Sequence, residues 1–166
     1  MGRPHRYLAP GAYYHVGAKG NDEASIFLDD RDRTVFVEIL SRVQRRYGWR
    51  LHARCLLGNH YHLVVETPLA NLSDGMRDLN GQYARAFNER HRRKHHVFGQ
   101  RFWSKVIESE EQYYATLEYV LYNPVNHGFA RRLGNWRWTS VPAVGRIDSA
   151  GVARHGQADP AALARR

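Results

Sequence analysis

Two segments of alternating polar and apolar residues flank a Gly-Asn pair, and this pattern constrains the fold more than any other part of the sequence. The first segment covers residues 49–57 and the second covers residues 60–66. Alternation with a period of two is typical of strands that bury one face, and Gly-Asn between two such runs favours a tight turn. The chain is therefore predicted to form a β-hairpin, with His60 and His62 on one face of its second strand.

The two histidines form a candidate metal site. On a strand, side chains at i and i+2 point to the same face and lie roughly 6.5 Å apart along it. Imidazole is the commonest metal ligand in proteins, so His60 and His62 can converge on one divalent cation. A His-x-His pair by itself is also found on solvated strand faces, and the rest of the chain must decide between the two interpretations.

Helical periodicity predicts one helix before the hairpin and another after it. An apolar stripe from Val35 to Tyr47 predicts the first helix, which follows an aspartate-rich start and ends at Gly48. The second helix is predicted to begin with Ser73 as its cap. Its own stripe has the same helical spacing: Met76, Leu79, Tyr83 and Phe87.

A third helix is predicted after a short strand over residues 102–107. The sequence of residues 109–112 matches a capping box, and the helix must end near Asn123 because Pro124 disfavours helical geometry in the residue before it. With a further strand over residues 13–18, the order becomes β-α-β-β-α-β-α. We therefore predict an α+β fold: a ferredoxin-like β-α-β-β-α-β antiparallel sheet with helices on one face and an added C-terminal helix.

The third helix brings a tyrosine and an asparagine together. At about 100° per residue, the apolar stripe of this helix leaves Tyr119 on another side. Asn123 lies one turn further along and shares that side. An exposed phenol and an amide thus occupy a face that the core does not need, and they could complete a site built on His60 and His62.

The charge of the chain indicates a polyanionic partner. The formal net charge is +9 over 166 residues, with 43% hydrophobic residues, which favours a folded nucleic-acid-binding protein over a basic disordered segment or a membrane-surface protein. Tryptophans can stack on bases, but core packing is the favoured interpretation for Trp103, Trp136 and Trp138. The candidates for phosphate contact are Lys19, Arg92, Arg93, Arg101 and Lys105.

Cysteine content and apolar run lengths suggest a compartment. The single cysteine, Cys55, excludes an internal disulfide framework and fits a small buried strand residue in a reducing environment. No apolar run reaches transmembrane length, and the first residues lack the apolar stretch of a signal peptide. We expect a cytoplasmic protein without a membrane partner, with one domain over residues 1–145 and a basic flexible tail over residues 146–166.

Several motifs fit together as the pattern of one family. They lie between residues 7 and 145 and include Tyr14-His15-Val16, Gly58-Asn59-His60-Tyr61-His62-Leu63, Phe98-Gly99-Gln100-Arg101-Phe102 and Tyr119-Val120-Leu121-Tyr122-Asn123-Pro124-Val125. With them the chain resembles the single-tyrosine, IS200-like transposases of the His-hydrophobe-His class, and most closely their REP-associated branch. The histidine pair alone is weakly specific, whereas its combination with the Tyr-x3-Asn-Pro-Val segment is strongly specific.

The resemblance implies a function and a role for each site residue. Such proteins bind single-stranded or hairpin DNA of repetitive palindromic elements and break one phosphodiester with a tyrosine, leaving a 5′-phosphotyrosine and a free 3′-hydroxyl. By this analogy Tyr119 is the nucleophile, and His60, His62 and Asn123 are ligands of Mg²⁺ or Mn²⁺. The expected function is that of a metal-dependent single-strand DNA endonuclease and strand transferase, active as a monomer or a homodimer.

Two alternatives fit the same motifs. One is a non-catalytic module that binds DNA hairpins with the same fold, and the other is a metal phosphodiesterase that uses an activated water. The complete set of His60, His62, Tyr119 and Asn123 favours the tyrosine enzyme over the binding module, because a protein that only binds DNA has no need of all four.

Overall fold

The computed structural model describes residues 8–140 as a five-stranded antiparallel sheet with three α-helices. The strand order across the sheet is β4-β1-β3-β2-β5, and every neighbouring pair is antiparallel. The predicted α+β fold is confirmed, and β5 is an addition that the sequence did not predict. The elements in chain order are β1 (Ala12–Lys19), α1 (Asp30–Tyr47), β2 (Arg50–Leu56), β3 (His60–Thr67), α2 (Leu72–Arg90), β4 (Trp103–Ile107), α3 (Glu110–Asn126) and β5 (Thr139–Ser140).

Some predictions concern parts of the chain beyond this range. The predicted domain end at residue 145 and the predicted tail over residues 146–166 lie outside the described residues. Between residues 8 and 140, no helix is both long enough and apolar enough to cross a membrane.

β3 lies at the centre of the sheet and alternates between two differently covered faces. α1 and α2 cover one face, where β3 contributes three fully buried residues: Tyr61, Leu63 and Val65. α3 covers the other face, where Val64 belongs to a second and smaller core. Because alternate side chains share a face, His60 and His62 lie on the α3 side, as the hairpin prediction required.

Two helices begin where the sequence predicts. Asp29 caps α1 by accepting a hydrogen bond from the amide of Asp32 at 3.0 Å, and Ser109 caps α3 by accepting one from the amide of Gln112 at 3.1 Å. Gly48 ends α1 with a φ of 70°, a left-handed conformation in which glycine is favoured over residues with a Cβ. Local sequence therefore determines these three helix ends.

α2 begins earlier than predicted. Ser73 is not its cap, because the helix starts at Leu72 and Asn71 occupies the N-cap position without a side-chain capping bond. The Asn71 side chain instead accepts a hydrogen bond from Nε1 of Trp49 at 2.8 Å and donates one to the carbonyl of Tyr47 at 2.9 Å. These contacts across the fold, rather than a local cap, determine where α2 begins.

α3 continues past its predicted end. The prediction that it stops near Asn123 is wrong, since the helix runs to Asn126 with Pro124 inside it. The fixed φ of proline suits a helix, and the cost is one missing hydrogen bond to the carbonyl of Val120. The amide of His127 resumes the ladder by donating to the carbonyl of Asn123 at 3.0 Å. The continued helix presents Asn123 to the sheet.

Candidate active site

Three histidines of the sheet form a contiguous cluster on its α3 side, and a fourth, His127 at the end of α3, lies with its ring centroid 5.1 Å from that of His60. His60 and His62 come from β3 and His15 comes from the adjacent β1. The ring centroids of His60 and His62 are 5.1 Å apart, and those of His15 and His62 are 5.2 Å apart. The structure thus brings the two predicted histidines together and adds a third that sequence reasoning had not assigned to the site.

His62 uses only one of its two ring nitrogens. Its Nδ1 lies 3.0 Å from Nε2 of His15, so one ring donates a hydrogen bond to the other. The side chain is 5% exposed, and its Nε2 is buried without any hydrogen-bond partner. Buried polar atoms in native proteins are nearly always paired, and an unpaired one requires an explanation. In the tautomer with its hydrogen on Nδ1, His62 has a lone pair on Nε2 of the kind that binds a metal ion.

Burial keeps the three imidazoles neutral at neutral pH. Burial, followed by the proximity of His15, His60 and His127, lowers the pKa of His62 to about 3. Burial and then Lys105 lower the pKa of His15 to about 4. The pKa of His60 is also lowered, mainly by burial. Neutral imidazole is the metal-binding form, so the cluster already has the protonation state that a metal site needs.

α3 places Tyr119 and Asn123 over this cluster. The Tyr119 side chain is 50% exposed, and its ring centroid lies 5.6 Å from that of His62 and 5.7 Å from that of His15. Asn123 is buried, so the face that it shares with Tyr119 is exposed only in part. Its Nδ2 donates to the carbonyl of Tyr119 at 3.1 Å. Its buried Oδ1 makes no hydrogen bond of good geometry, yet the amide lies close enough to the His60 ring to act against the lowering of the His60 pKa by burial. The pair is together as predicted, with the phenol exposed and the amide buried.

The site residues fit a divalent cation. His62 Nε2 and Asn123 Oδ1 are both buried atoms without partners, and the ring of His60 is oriented by Oδ1 of Asn59, 2.7 Å from its Nδ1. Residues 8–140 contain no group of three or more His, Cys, Asp or Glu side chains in a metal-binding arrangement. The ligand set predicted from the sequence, two imidazoles and one amide oxygen, consists of ligand types that divalent metals use.

The predicted phosphate-binding residues near the site occupy two clefts. Lys105 and Tyr119 line a cleft of about 440 Å³. Lys19 and Arg101 line a neighbouring cleft of about 760 Å³. Lys19 also forms an ion pair with Glu23 at 2.6 Å. These three cations line two clefts that share Trp103, and the cleft with Lys105 also includes His15 and His62.

Arg92 and Arg93 lie elsewhere. Both follow the end of α2, and neither lines either of these two clefts. The guanidinium of Arg93 lies over the ring of Phe87 at 5.5 Å, and Phe87 belongs to the core on the opposite face of the sheet. The structure therefore does not bring these two arginines to the histidine cluster.

Sequence reasoning missed the positions of His15 and Trp103. Trp103 was expected in the core with Trp138, yet it is 41% exposed whereas Trp138 is 6% exposed. Trp103 lines both clefts. The alternation of β1, in which Tyr14 and Val16 are fully buried, was the signal that could have placed His15 on the opposite face with the other histidines.

Comparison with known proteins identifies the family. Residues 9–121 match the family model described as transposase IS200 like, which is more than half of the chain. The chain belongs to the IS200-like transposase family. The family predicted from the sequence motifs is confirmed.

Two curated relatives and one solved structure that are similar to this chain are REP-associated tyrosine transposases by name. A Haemophilus influenzae protein, named provisionally as a REP-associated tyrosine transposase, is 24% identical over 134 residues, covering 70% of this chain and 76% of the relative. The Escherichia coli REP-associated tyrosine transposase is 23% identical over 101 residues, covering 60% of this chain and 58% of the relative. The structure of a REP-associated tyrosine transposase bound to a REP hairpin aligns with a TM-score of 0.76 at 19% identity, covering 95% of this chain and 93% of that chain. This alignment shows that the fold is shared.

Proposed function

We propose that this chain is a metal-dependent enzyme that nicks and rejoins single-stranded DNA at hairpin or repeat sequences, with Tyr119 as the nucleophile. One observation carries the proposal: the exposed phenol ring of Tyr119 packs against His62, whose Nε2 is buried without a partner. A nucleophile and a candidate metal ligand thus lie side by side in one cleft. Family membership and the hairpin-bound relative with the same fold support the choice of substrate.

The reaction consists of two transesterifications. In the first, the Tyr119 oxygen attacks the phosphorus of one phosphodiester and forms a 5′-phosphotyrosine. The bond from phosphorus to the 3′-oxygen breaks, the phenol loses its proton, and the departing 3′-oxygen becomes a hydroxyl. In the second, a different 3′-hydroxyl attacks the phosphotyrosine, which rejoins DNA and restores the phenol. The covalent intermediate divides one difficult step into two easier ones without ATP.

His60, His62 and Asn123 are the residues that would hold Mg²⁺ or Mn²⁺. A bound divalent ion supplies Lewis-acid polarisation of the phosphate and offsets the negative charge that develops on it. Such help is needed, because a tyrosine phenol ordinarily has a pKa of about 10 and is a weak nucleophile at neutral pH. The chain contributes the fixed positions of the three ligands and of the phenol.

His15 acts in this proposal as a positioning residue. For His62 to bind a metal through Nε2, its hydrogen must be on Nδ1, which then donates to Nε2 of His15 across the observed 3.0 Å. The lowered pKa of His15 keeps that acceptor nitrogen free of a proton at neutral pH. Partners of this kind fix the tautomer and the ring orientation of metal-binding histidines.

The decisive experiment looks for a covalent protein–DNA adduct. The full-length protein is incubated with Mn²⁺ and DNA hairpins that carry a single-stranded extension, and adducts are detected on denaturing gels. We expect an adduct with the parent protein, none with Tyr119→Phe, and an adduct with the matched control Tyr122→Phe, which removes a half-buried phenol from the same helix. An adduct that persists in Tyr119→Phe would overturn the assignment. Hairpin binding without any adduct would instead support the non-catalytic binding module.

A further inference from the structure

We propose that Trp103 is a stacking platform for a base of single-stranded DNA adjacent to the phosphate that Tyr119 attacks. The inference rests on the proposed function and adds a base-binding site to it. Trp103 is the most exposed of the four tryptophans, with 41% of its surface accessible, whereas Trp49 and Trp138 are 5% and 6% exposed. An exposed indole at the rim of a candidate active site calls for an explanation other than core packing.

The indole lies beside the groups that carry the chemistry. Its ring centroid is 4.6 Å from that of His15 and 5.6 Å from that of His62. The ring of Tyr119 packs against the same two histidines, and both aromatic residues line the cleft of about 440 Å³. A nucleotide whose phosphate lies at Tyr119 therefore has a neighbouring base within reach of Trp103.

The sheet already holds the indole in place. Trp103 pairs with Gly17 across β1 and β4, and a Cβ built at Gly17 would lie 2.7 Å from Cζ2 of Trp103. The glycine thus allows the ring to lie close to the β1 backbone, an arrangement in which an aromatic residue covers a strand glycine. A ring that is fixed before binding loses little conformational freedom when a base stacks on it.

Positive charge on both sides of the ring fits a nucleic-acid backbone. Lys105 is two residues further along β4 on the same face, and Arg101 is two residues before Trp103; both side chains are exposed. Trp103 lines the cleft that contains Lys105 and also the cleft that contains Arg101. Among the described residues, no Asp or Glu lines the cleft shared with Tyr119, whereas Asp22 and Glu23 line the cleft with Arg101, where Glu23 pairs with Lys19. Aromatic platforms between cations are how proteins bind single strands.

The test measures binding in the absence of chemistry. The full-length Tyr119→Phe protein, with and without Trp103→Ala, is titrated by fluorescence anisotropy against a labelled DNA hairpin with a short single-stranded extension. Companion probes replace each nucleotide of the extension in turn by an abasic site. We expect Trp103→Ala to weaken binding of the intact probe about 5- to 150-fold, the effect of losing one stacked base. One abasic probe should show no such difference.

Three matched variants separate stacking from other effects. Trp103→Phe keeps an aromatic ring and should retain most of the affinity. Lys105→Ala should weaken every probe alike and lower the salt dependence of binding, because it removes a phosphate contact. Leu69→Ala removes an exposed apolar side chain next to the opposite end of β3 and should change nothing. The fluorescence of a 2-aminopurine at the stacked position should be quenched by the Tyr119→Phe protein and not by the same protein with Trp103→Ala.

The possible failures are distinguishable. If Trp103→Ala binds the intact probe as tightly as the parent, or loses the same factor on every abasic probe, the stacking site is wrong while adduct formation at Tyr119 can still stand. If the parent binds neither the hairpin nor its extension, both the stacking site and the proposed function are overturned.

Discussion

The two faces of the sheet differ in what surrounds their unpaired buried polar atoms. On the face covered by α1 and α2, the hydroxyls of the buried tyrosines Tyr14, Tyr61 and Tyr83 are all hydrogen-bonded within an apolar core. On the α3 face, Nε2 of His62 and Oδ1 of Asn123 are buried close to the exposed nucleophile candidate and have no partner. Unpaired buried polar atoms also occur on the α1/α2 side, in Arg33 of α1, Asn88 of α2 and Thr67 of β3, but those of His62 and Asn123 lie beside the exposed Tyr119.

This difference indicates where function resides. An unpaired buried acceptor costs free energy, on the order of 1–3 kcal/mol for each group. Natural proteins depart from complete polar satisfaction mainly at functional or strained sites. Two unpaired polar atoms from different elements, both beside Tyr119, are therefore more informative than either residue alone. Three experiments test whether the two faces can be changed independently.

The largest effect is expected on the α1/α2 face. Phe36 is fully buried, and its ring packs against three aromatic rings: those of Phe27, Tyr61 and Tyr83. Phe36→Ala should lower the free energy of unfolding by about 3–5 kcal/mol, through lost burial and the cavity left behind. Urea denaturation measures this loss. The Mn²⁺-dependent increase in stability, expected because the ion binds only the folded state, should remain.

The outcome for Mn²⁺ decides whether the faces are independent. A folded Phe36→Ala protein that no longer gains stability from Mn²⁺ would show that the two faces are coupled. A loss well below the expected range would show that the α1/α2 core tolerates cavities better than its dense packing suggests.

An intermediate effect is expected when the pH is lowered, because the folding stability then falls through the histidines of the α3 face. The four histidines with lowered pKa values, chiefly because of burial, are all on this side: His15, His52, His60 and His62. In the unfolded chain they take up protons near pH 6.5, whereas the folded state resists protonation until lower pH. The unfolded state then binds more protons, so stability is complete above pH 6.5 and falls below it. For His15 alone, whose pKa drops from 6.5 to about 4, the loss is on the order of 3 kcal/mol.

Urea unfolding across this pH range checks the assignment. The double variant His15→Gln with His62→Gln should show a shallower decline between pH 6.5 and about 4 than the parent. Lowered carboxyl pKa values contribute mainly below about pH 5, since the ordinary values for Glu23 and Asp29 are 4.5 and 3.8. The decline between pH 6.5 and about 5 therefore reports the histidines. An unchanged slope in the double variant would assign the acid sensitivity to other groups.

Local sequence patterns predict much of this architecture. The features that they miss depend on contacts between residues far apart in the chain. The alternation of β3 and the stripe of α1 were sufficient to assign faces, and helical spacing was sufficient to pair Tyr119 with Asn123. The contact between His15 and His62 joins residues 47 positions apart and depends on the register between β1 and β3, which no local pattern specifies. The exposure of Trp103 likewise depends on its pairing with Gly17.

The smallest effect on stability is expected from replacing Asn123, and it tests the difference between the two faces at a single residue. Asn123→Leu keeps a side chain of similar shape, raises helix propensity and removes the unpaired Oδ1, at the cost of the hydrogen bond from Nδ2 to the carbonyl of Tyr119. Without metal, its free energy of unfolding should rise by about 1 kcal/mol, while the Mn²⁺-dependent gain and the DNA adduct should both be lost. Asn123→Asp is the matched control: it keeps an oxygen ligand, and should be less stable without Mn²⁺ but gain stability with it. If Asn123→Leu is instead less stable than the parent in metal-free solution, the amide is a structural part of α3, and the contrast between the faces does not extend to this residue.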